Sequence, residues 1–260
     1  MPFIETKIGK IYVIDQRKNT DTPPLLLIHG AGGTHLDWPA SLRRLPNANP
    51  LLPDLSGHGK SPTPGRDTIT AYAADVISLL DALEIPSAIV AGQSMGGAIA
   101  LTLALDYSER VSGLILIGTG AKLSVSPDIV ERILTDQEAV ARLLSEWYWS
   151  EATPIERREL TYKQIMAQPA QIIYDDYVAC NGFDVRARLN EIQARALIFA
   201  GTQDKMTPQK YGVYLQQYIP DAELVTLEGA GHMMALEQPD AVASAVGTWL
   251  NSPSFSQEKA

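Results

Sequence analysis

The stretch of sequence at residues 90–97 decides the fold, and it reads Val90-Ala91-Gly92-Gln93-Ser94-Met95-Gly96-Gly97. It follows a short apolar run, Ala88–Ala91, and precedes an apolar segment with helical character, Met95–Leu105. A serine at such a strand-to-helix turn adopts a strained backbone conformation that exposes its hydroxyl. The turn has no room for side chains two residues before and after the serine, and Gly92 and Gly96 meet that requirement. The pattern therefore predicts an exposed nucleophile at Ser94; the alternative is a glycine-rich connection that packs the helix tightly against a sheet.

Short apolar runs alternate with helical patterns along the rest of the chain. The runs are Leu25–Ile28, Asn49–Pro53, Ala88–Ala91, Leu114–Ile117, Ala196–Ala200 and Glu223–Leu227. Most lack an apolar-polar alternation, which indicates strands covered on both faces, whereas Ile11–Ile14 is typical of an edge or antiparallel strand. Helical patterns cover Ile69–Leu83, Met95–Leu105, Pro208–Tyr218 (with Thr207 as N-cap) and Ala241–Leu250. The alternation predicts an α/β fold with a mainly parallel sheet.

One region interrupts this alternation. From about Lys122 to Ala187 the chain is charged and helix-like, without a convincing strand, and it contains Trp147, Tyr148 and Trp149 in a row. We interpret it as a helical cap inserted between two strands. The predicted organisation is a first core part at 1–121, a cap at 122–187, a second core part at 188–251 and a polar tail at 252–260.

Composition excludes several classes of function. The formal charge of −9 disfavours nucleic acid and anionic lipid as partners. Cys180 is the only cysteine, so no intrachain disulfide can form. The N-terminus lacks a signal-peptide pattern, and no apolar stretch approaches the roughly 20 residues that span a bilayer. We expect a cytoplasmic protein that is either a monomer or a homodimer.

Five segments together resemble signatures of the α/β-hydrolase family. They are Leu27-Ile28-His29-Gly30-Ala31-Gly32-Gly33, Asp54-Leu55-Ser56-Gly57-His58-Gly59-Lys60-Ser61, Gly92-Gln93-Ser94-Met95-Gly96-Gly97, Gly201-Thr202-Gln203-Asp204-Lys205-Met206-Thr207-Pro208 and Gly229-Ala230-Gly231-His232. They occur in the family's order and span nearly the whole chain. The resemblance, which points to the serine carboxylesterase and enol-lactonase-like branch, implies a mostly parallel sheet of about eight strands, helices on both faces and a helical cap.

A serine nucleophile needs a base, and histidine is the usual base near neutral pH. The family places the histidine after the serine, and of four histidines only His232 follows Ser94. We expect His29 and His58 to brace their loops, while His35 either lines the pocket or faces water.

The base in turn needs a carboxylate that orients it. Asp204 matches the position of the family's acid; the alternative is a carboxylate that only caps a helix or braces a loop. Some relatives carry the acid one strand earlier, but here that loop reads Gly118-Thr119-Gly120 and offers no carboxylate.

By the same resemblance, the backbone amides of Ala31 and Met95 form the oxyanion hole. The glycines after Ala31 do not form a nucleotide-binding motif, because neither G-x-G-x-x-G nor a P-loop is present. No cluster of ligand residues has metal-binding spacing, so we expect neither a metal nor an organic cofactor.

These observations predict a serine hydrolase that cleaves small-to-medium, mainly apolar carboxylic esters through an acyl-enzyme. Alternatives on the same residues are a lactonase or enol-lactonase and a C–C bond hydrolase; a non-catalytic ligand-binding homologue is more remote. Trp147, Tyr148 and Trp149 either line the substrate pocket or pack the cap onto the core. A C–C hydrolase for a diketone acid would need a cationic anchor. The candidates are Arg142, Arg157 and Arg186.

Overall fold

The computed structural model describes residues 2–18, 22–46, 48–62 and 64–252. Eight strands form one sheet in the order β1-β2-β4-β3-β5-β6-β7-β8. Their bounds are β1 Phe3–Thr6, β2 Gly9–Asp15, β3 Pro24–Ile28, β4 Asn49–Pro53, β5 Ala88–Gln93, β6 Val111–Ile117, β7 Ala196–Gly201 and β8 Ala222–Leu227. Strands β1 and β2 are antiparallel to their neighbours, and all other pairs are parallel. The predicted fold class is therefore confirmed.

Helices cover both faces of the sheet. Their bounds are α1 Ala40–Arg43, α2 Ile69–Ala82, α3 Met95–Asp106, α4 Pro127–Arg132, α5 Gln137–Trp147, α6 Ile155–Ala167, α7 Ala170–Asn181, α8 Lys210–Tyr218, α9 Met234–Glu237 and α10 Pro239–Leu250. The apolar run of β3 explains why two helical layers are needed, because its side chains alternate between them. Leu26 and Ile28 join the core formed with α2 and α3, whereas Leu25 and Leu27 join the core formed with α1 and α10.

Helices α4 to α7 lie between β6 and β7 and share an apolar cluster of their own. The cluster contains Ile129, Ile133, Val140, Ala141, Leu144, Ile165, Ile173 and Tyr177. A single antiparallel bridge between Lys122 and Asp184 joins the two ends of this insertion. We refer to these helices as the cap, and its boundaries at 122 and 187 stay a proposal.

Two local expectations were wrong or incomplete. Strand β1 was not predicted, because its side chains are at least partly exposed and give no buried apolar run. Helix α8 begins at Lys210 rather than Pro208, and Thr207 is not its N-cap. The Thr207 hydroxyl donates instead to Asp204. The predicted tail beyond Ser252 lies outside the described residues.

Within the described ranges, none of the helices combines the length and the apolar character required of a transmembrane segment.

Candidate active site

Ser94 occupies the turn between β5 and α3 in a left-handed conformation, with φ 55° and ψ −116°. A Cβ atom at Gly92 would overlap the Gly96 carbonyl, and one at Gly96 would overlap the Ile28 carbonyl. Glycine is therefore required at both positions, as the sequence pattern predicted. The backbone of the serine is further held by Thr119, whose hydroxyl donates to the Ser94 carbonyl at 2.8 Å. The strain thus fixes the serine at the carboxyl end of the sheet.

His232 and Asp204 meet at the same end of the sheet. Asp204 follows β7, His232 follows β8, and these strands are neighbours. The His232 Nδ1 atom lies 2.9 Å from Asp204 Oδ2 and 3.1 Å from Oδ1, and both side chains are buried. The carboxylate acceptor favours the tautomer that carries the proton on Nδ1, which leaves Nε2 free to accept one.

The Asp204 carboxylate is also fixed from the side of its own loop. The amides of Met206 and Thr207 donate to Oδ1 at 2.8 Å, and the Thr207 hydroxyl donates to Oδ2 at 2.8 Å. Burial alone would raise the pKa of Asp204, but the attraction to His232 and these hydrogen bonds outweigh it and hold the pKa below its ordinary value. Asp204 therefore stays ionised at neutral pH.

Ser94 and His232 line one cavity of about 340 Å³ beneath the cap. In the described part of the chain, no hydrogen bond joins the Ser94 hydroxyl to His232. Catalytic hydrogen bonds are often long in ligand-free enzymes and tighten when substrate binds. The structure thus brings the predicted acid and base into contact, and the predicted nucleophile lines the same cavity as the base.

Ala31 and Met95, whose backbone amides are the expected oxyanion donors, both lie in segments next to the serine. Ala31 lines the cavity, and Met95 is the first residue of α3. A Cβ at Gly30 would lie 3.3 Å from Ser94 Cβ, so the loop at residues 30–33 lies directly against the nucleophile. Among the described residues, neither amide donates a hydrogen bond to another protein group. The expected role of these two amides stays a prediction.

The other three histidines lie in structural networks. His29 accepts from the Leu55 amide at 3.0 Å. The His58 ring nitrogens face the Ser56 carbonyl at 3.0 Å and the Asp176 carboxylate at 2.7 Å, and His35 binds Asp54. His29 and His58 brace loops as expected. His35, which was expected either to line the pocket or to face water, is instead a buried residue of a short 3-10 helix, His35–Asp37.

The three consecutive cap aromatics divide between two cavities. Tyr148 and Trp149 line the cavity described above, while Trp147 lines a second cavity of about 360 Å³ that also reaches Ser94. Trp149 also packs within the cap, where its indole N–H donates to Thr161 of α6 at 2.9 Å.

A larger groove of about 950 Å³ lies at the opposite end of the sheet, next to the first residue of β3. It is therefore remote from Ser94 and His232.

The sequence analysis named only some of the charged residues that line the site. Among the three candidate arginines, Arg157 lines the first cavity, whereas Arg142 pairs with Glu138 and Arg186 pairs with Asp184. Sequence reasoning missed Asp37, which lines the same cavity and whose pKa is raised to about 6, mainly by burial.

Sequence reasoning also missed two carboxylates, Asp176 and Glu237, that bind backbone amides of the site loops. In the described ranges, no group of three or more His, Cys, Asp or Glu side chains is placed to hold a metal ion.

Comparison with known proteins agrees with this architecture. The model of the alpha/beta hydrolase family matches residues 25–245. The chain is 30% identical over 248 residues to 2-hydroxymuconate semialdehyde hydrolase from Pseudomonas putida, covering 87% of this chain and 86% of that protein. It is 33% identical over 205 residues to 3-oxoadipate enol-lactonase 2 from Acinetobacter baylyi, covering 74% and 75%.

Among solved structures, the enol-lactonase from Burkholderia xenovorans LB400 shares the fold. Its TM-score is 0.89 at 24% identity, and the match covers 96% of this chain and 100% of that one. The family match covers most of the described chain, and the strained serine turn lies within it. The chain therefore belongs to the alpha/beta hydrolase family.

Proposed function

We propose that the protein is a serine hydrolase that cleaves small-molecule carboxylic esters or lactones through an acyl-enzyme on Ser94. The observation that carries this proposal is the arrangement around one cavity: the strained Ser94 and His232 both line it, and the His232 Nδ1 is held by Asp204. A nucleophile, a base and an orienting acid are what acyl transfer requires.

In the proposed mechanism, Ser94 Oγ attacks the substrate carbonyl carbon while its proton passes to His232 Nε2. The amides of Ala31 and Met95 bind the oxyanion of the tetrahedral intermediate. The intermediate then collapses, and the proton on Nε2 goes to the leaving oxygen. A water molecule, deprotonated by the same Nε2, attacks the acyl-enzyme carbonyl carbon, and the released Ser94 recovers the proton.

The two cavities that meet at Ser94 support substrates of limited size. Each encloses about 340–360 Å³. The cavity that contains His232 suits the leaving group, because the proton for that group comes from His232. The second cavity suits the acyl chain, since Leu123, Val125 and Ile129 make much of its wall apolar. In a lactone the leaving group and the acyl chain belong to one ring, and this ring would extend from one cavity to the other past Ser94.

Hydrolysis of a C–C bond in a diketone acid is the second candidate. It is favoured by the similarity to 2-hydroxymuconate semialdehyde hydrolase and by Arg157, which lines the cavity of Ser94 and His232. A guanidinium at this place could bind a substrate carboxylate.

A combined labelling and substrate experiment tests the proposal. The wild type is expected to react with a fluorophosphonate at Ser94 and to hydrolyse p-nitrophenyl esters, whereas Ser94→Ala loses both properties. Wild-type turnover by Ser94→Ala, or failure of the wild type to react with the fluorophosphonate, overturns it. A parallel series of p-nitrophenyl esters of increasing chain length, γ- and δ-lactones and a vinylogous diketone acid ranks the substrate classes by kcat/KM.

A further inference from the structure

Asp176 is a fully buried carboxylate on cap helix α7, and it takes no part in the mechanism proposed above. Its oxygens meet three groups of the core. Oδ2 accepts from the Gly32 amide at 2.7 Å and lies 2.7 Å from His58 Nε2, and Oδ1 accepts from the Tyr72 hydroxyl at 2.6 Å. A buried carboxylate is costly unless such groups surround it, and here all of them come from outside the cap.

The next feature of this network is the environment of the His58 ring. Its Nδ1 lies 3.0 Å from the Ser56 carbonyl, which can only accept, so both ring nitrogens face acceptors. Burial alone would lower the pKa of His58, but the attraction to Asp176 and the hydrogen bonds outweigh it and raise the pKa. The geometry and the raised pKa both favour a protonated His58, which faces the Asp176 carboxylate across the contact between the cap and the core.

The contact with Gly32 places Asp176 next to the oxyanion loop, residues 30–33. Ala31, the proposed oxyanion donor, lies directly before Gly32. The peptide unit that carries the Ala31 N–H includes the Gly30 carbonyl, which accepts from His29 Nδ1 at 2.8 Å and from the Gly33 amide at 3.1 Å. The Ala31 amide is thus fixed on one side through Gly30 and on the other through Asp176.

The contacts on both sides of the Ala31 amide are connected to the Asp176 carboxylate. The His29 ring, which holds Gly30, lies against the His58 ring with a centroid separation of 4.9 Å, and His58 binds Asp176. Gly32 has a φ of +63° and no side chain, so its conformation depends on the hydrogen bonds of its backbone. A loss of the acceptor at position 176 would therefore release the loop at a glycine that no side chain restrains.

We propose that Asp176 is a positioning residue: it holds the oxyanion loop in the geometry in which the Ala31 amide stabilises the tetrahedral intermediate. Because Asp176 belongs to the cap, docking of α7 completes the oxyanion hole. This inference rests on the proposed function, in which Ala31 donates to the oxyanion.

The test compares Asp176→Ala and Asp176→Asn with Asp175→Asn as a matched control. Asp175 is the neighbouring carboxylate on α7, and it accepts from Gln171 on the same helix. Fluorophosphonate titration gives the concentration of active sites, so that kcat for p-nitrophenyl acetate is expressed per site. A positioning role reduces kcat and leaves KM nearly unchanged, because the oxyanion exists only in the transition state and the intermediate.

We expect Asp176→Ala to lower kcat per site by about 10- to 100-fold, somewhat less than complete removal of an oxyanion donor. Asp176→Asn should recover part of this loss, since its carbonyl oxygen can still accept from Gly32. The affinity for phenylboronic acid, which forms a tetrahedral adduct with serine, should fall in parallel with kcat/KM. Asp175→Asn should stay within about twofold of the wild type, because this half-buried side chain accepts from Gln171 on its own helix and not from the oxyanion loop.

Several outcomes would overturn the inference. One is an Asp176→Ala protein with fewer active sites but an unchanged kcat per site, which would show a purely structural role. If Asp176→Ala does not fold, the decision passes to Asp176→Leu, which fills the space but also lacks an acceptor for the Gly32 amide. Wild-type kcat per site and boronate affinity in that variant reject positioning. Normal kcat per site and boronate affinity in Asp176→Ala together with an inactive Ser94→Ala refute this inference alone, whereas an active Ser94→Ala refutes the proposed function and this inference with it.

Discussion

The Glu237 carboxylate accepts a hydrogen bond from the Gly231 amide at 2.6 Å, one residue before His232. Its other oxygen accepts from the Ser150 amide of the cap at 2.7 Å. A Cβ atom at Gly231 would lie 2.5 Å from the Ser150 nitrogen, so the cap backbone rests directly on the loop of the proposed base. The cap is thus hydrogen-bonded to the histidine loop through Glu237 and to the oxyanion loop through Asp176.

Glu237→Gln should weaken the contact between the cap and the histidine loop. Its amide group has one acceptor oxygen in place of two, so either Gly231 or Ser150 loses its partner. We expect the free energy of unfolding to fall by about 1–3 kcal/mol, the usual cost of an unsatisfied buried donor. Urea denaturation measures the free energy of unfolding, and Glu228→Gln is the control because Glu228 is an exposed residue at the start of the histidine loop. Equal stabilities of the two variants would contradict the prediction.

Asp204→Asn should retain the fold and lose most of the activity. An amide at this position can direct its N–H₂ group toward His232 Nδ1 and favour the wrong tautomer, with an expected loss in kcat of about 10⁴-fold. Steady-state kinetics after active-site titration measures this effect. Thr207→Val, which removes only the hydroxyl that donates to Asp204 Oδ2, should cost far less. A mild effect of Asp204→Asn would mean that another group orients the histidine.

Asp37→Asn should change how stability depends on pH. Burial raises the pKa of Asp37 from an ordinary value of 3.8 to about 6. The folded protein therefore holds the proton more tightly than the unfolded chain, and the stability that this proton contributes is complete below about pH 4 and lost as the pH rises through about 6. The loss in the wild type should be about 3 kcal/mol and should be absent in the variant.

Urea denaturation at intervals between pH 4 and pH 7.5 follows this difference in unfolding free energy. Asparagine keeps an oxygen that can accept from the Thr34 amide, as the carboxylate does now at 3.0 Å. A constant difference between the wild type and Asp37→Asn across the range would argue against a buried titration at this site.

Arg157→Gln distinguishes substrates that carry a carboxylate from neutral ones. If the guanidinium anchors an anionic substrate group, KM for mono-p-nitrophenyl adipate should rise about tenfold, the value of one charged hydrogen bond at a partly exposed site. KM for p-nitrophenyl butyrate should not change. Arg142→Gln is the control, because Arg142 pairs with Glu138 on the surface of the cap. Equal effects on both esters would remove Arg157 as a carboxylate anchor.

Much of the fold could be predicted from local sequence patterns. The continuous apolar run of β3 follows from its position between two helical layers, and the glycines around Ser94 follow from the space available at the turn. Strand β1 has no such pattern. Phe3 is 44% exposed, and the strand is defined by its pairing with β2 rather than by burial.

The carboxylates around the site could not be predicted from local sequence patterns, for a different reason. Asp176 lies 144 residues from Gly32 along the chain, and Glu237 lies 87 residues from Ser150. Neither has a distinctive neighbouring sequence, and each owes its role to backbone amides that become its neighbours only in the folded protein. Ser94, Asp204 and His232 could be named in advance because each stands in a segment that resembles a family signature.

The environment of Cys180 has a practical consequence. The side chain is buried in the wall of the second cavity, where burial and the nearby Asp176 raise the pKa of the thiol well above its ordinary value. It is the chain's only cysteine, and a buried neutral thiol reacts poorly with maleimides. A cysteine introduced at the exposed cap residue Leu134 would therefore accept a fluorophore selectively, and its emission would report movements of the cap without a cysteine-free background.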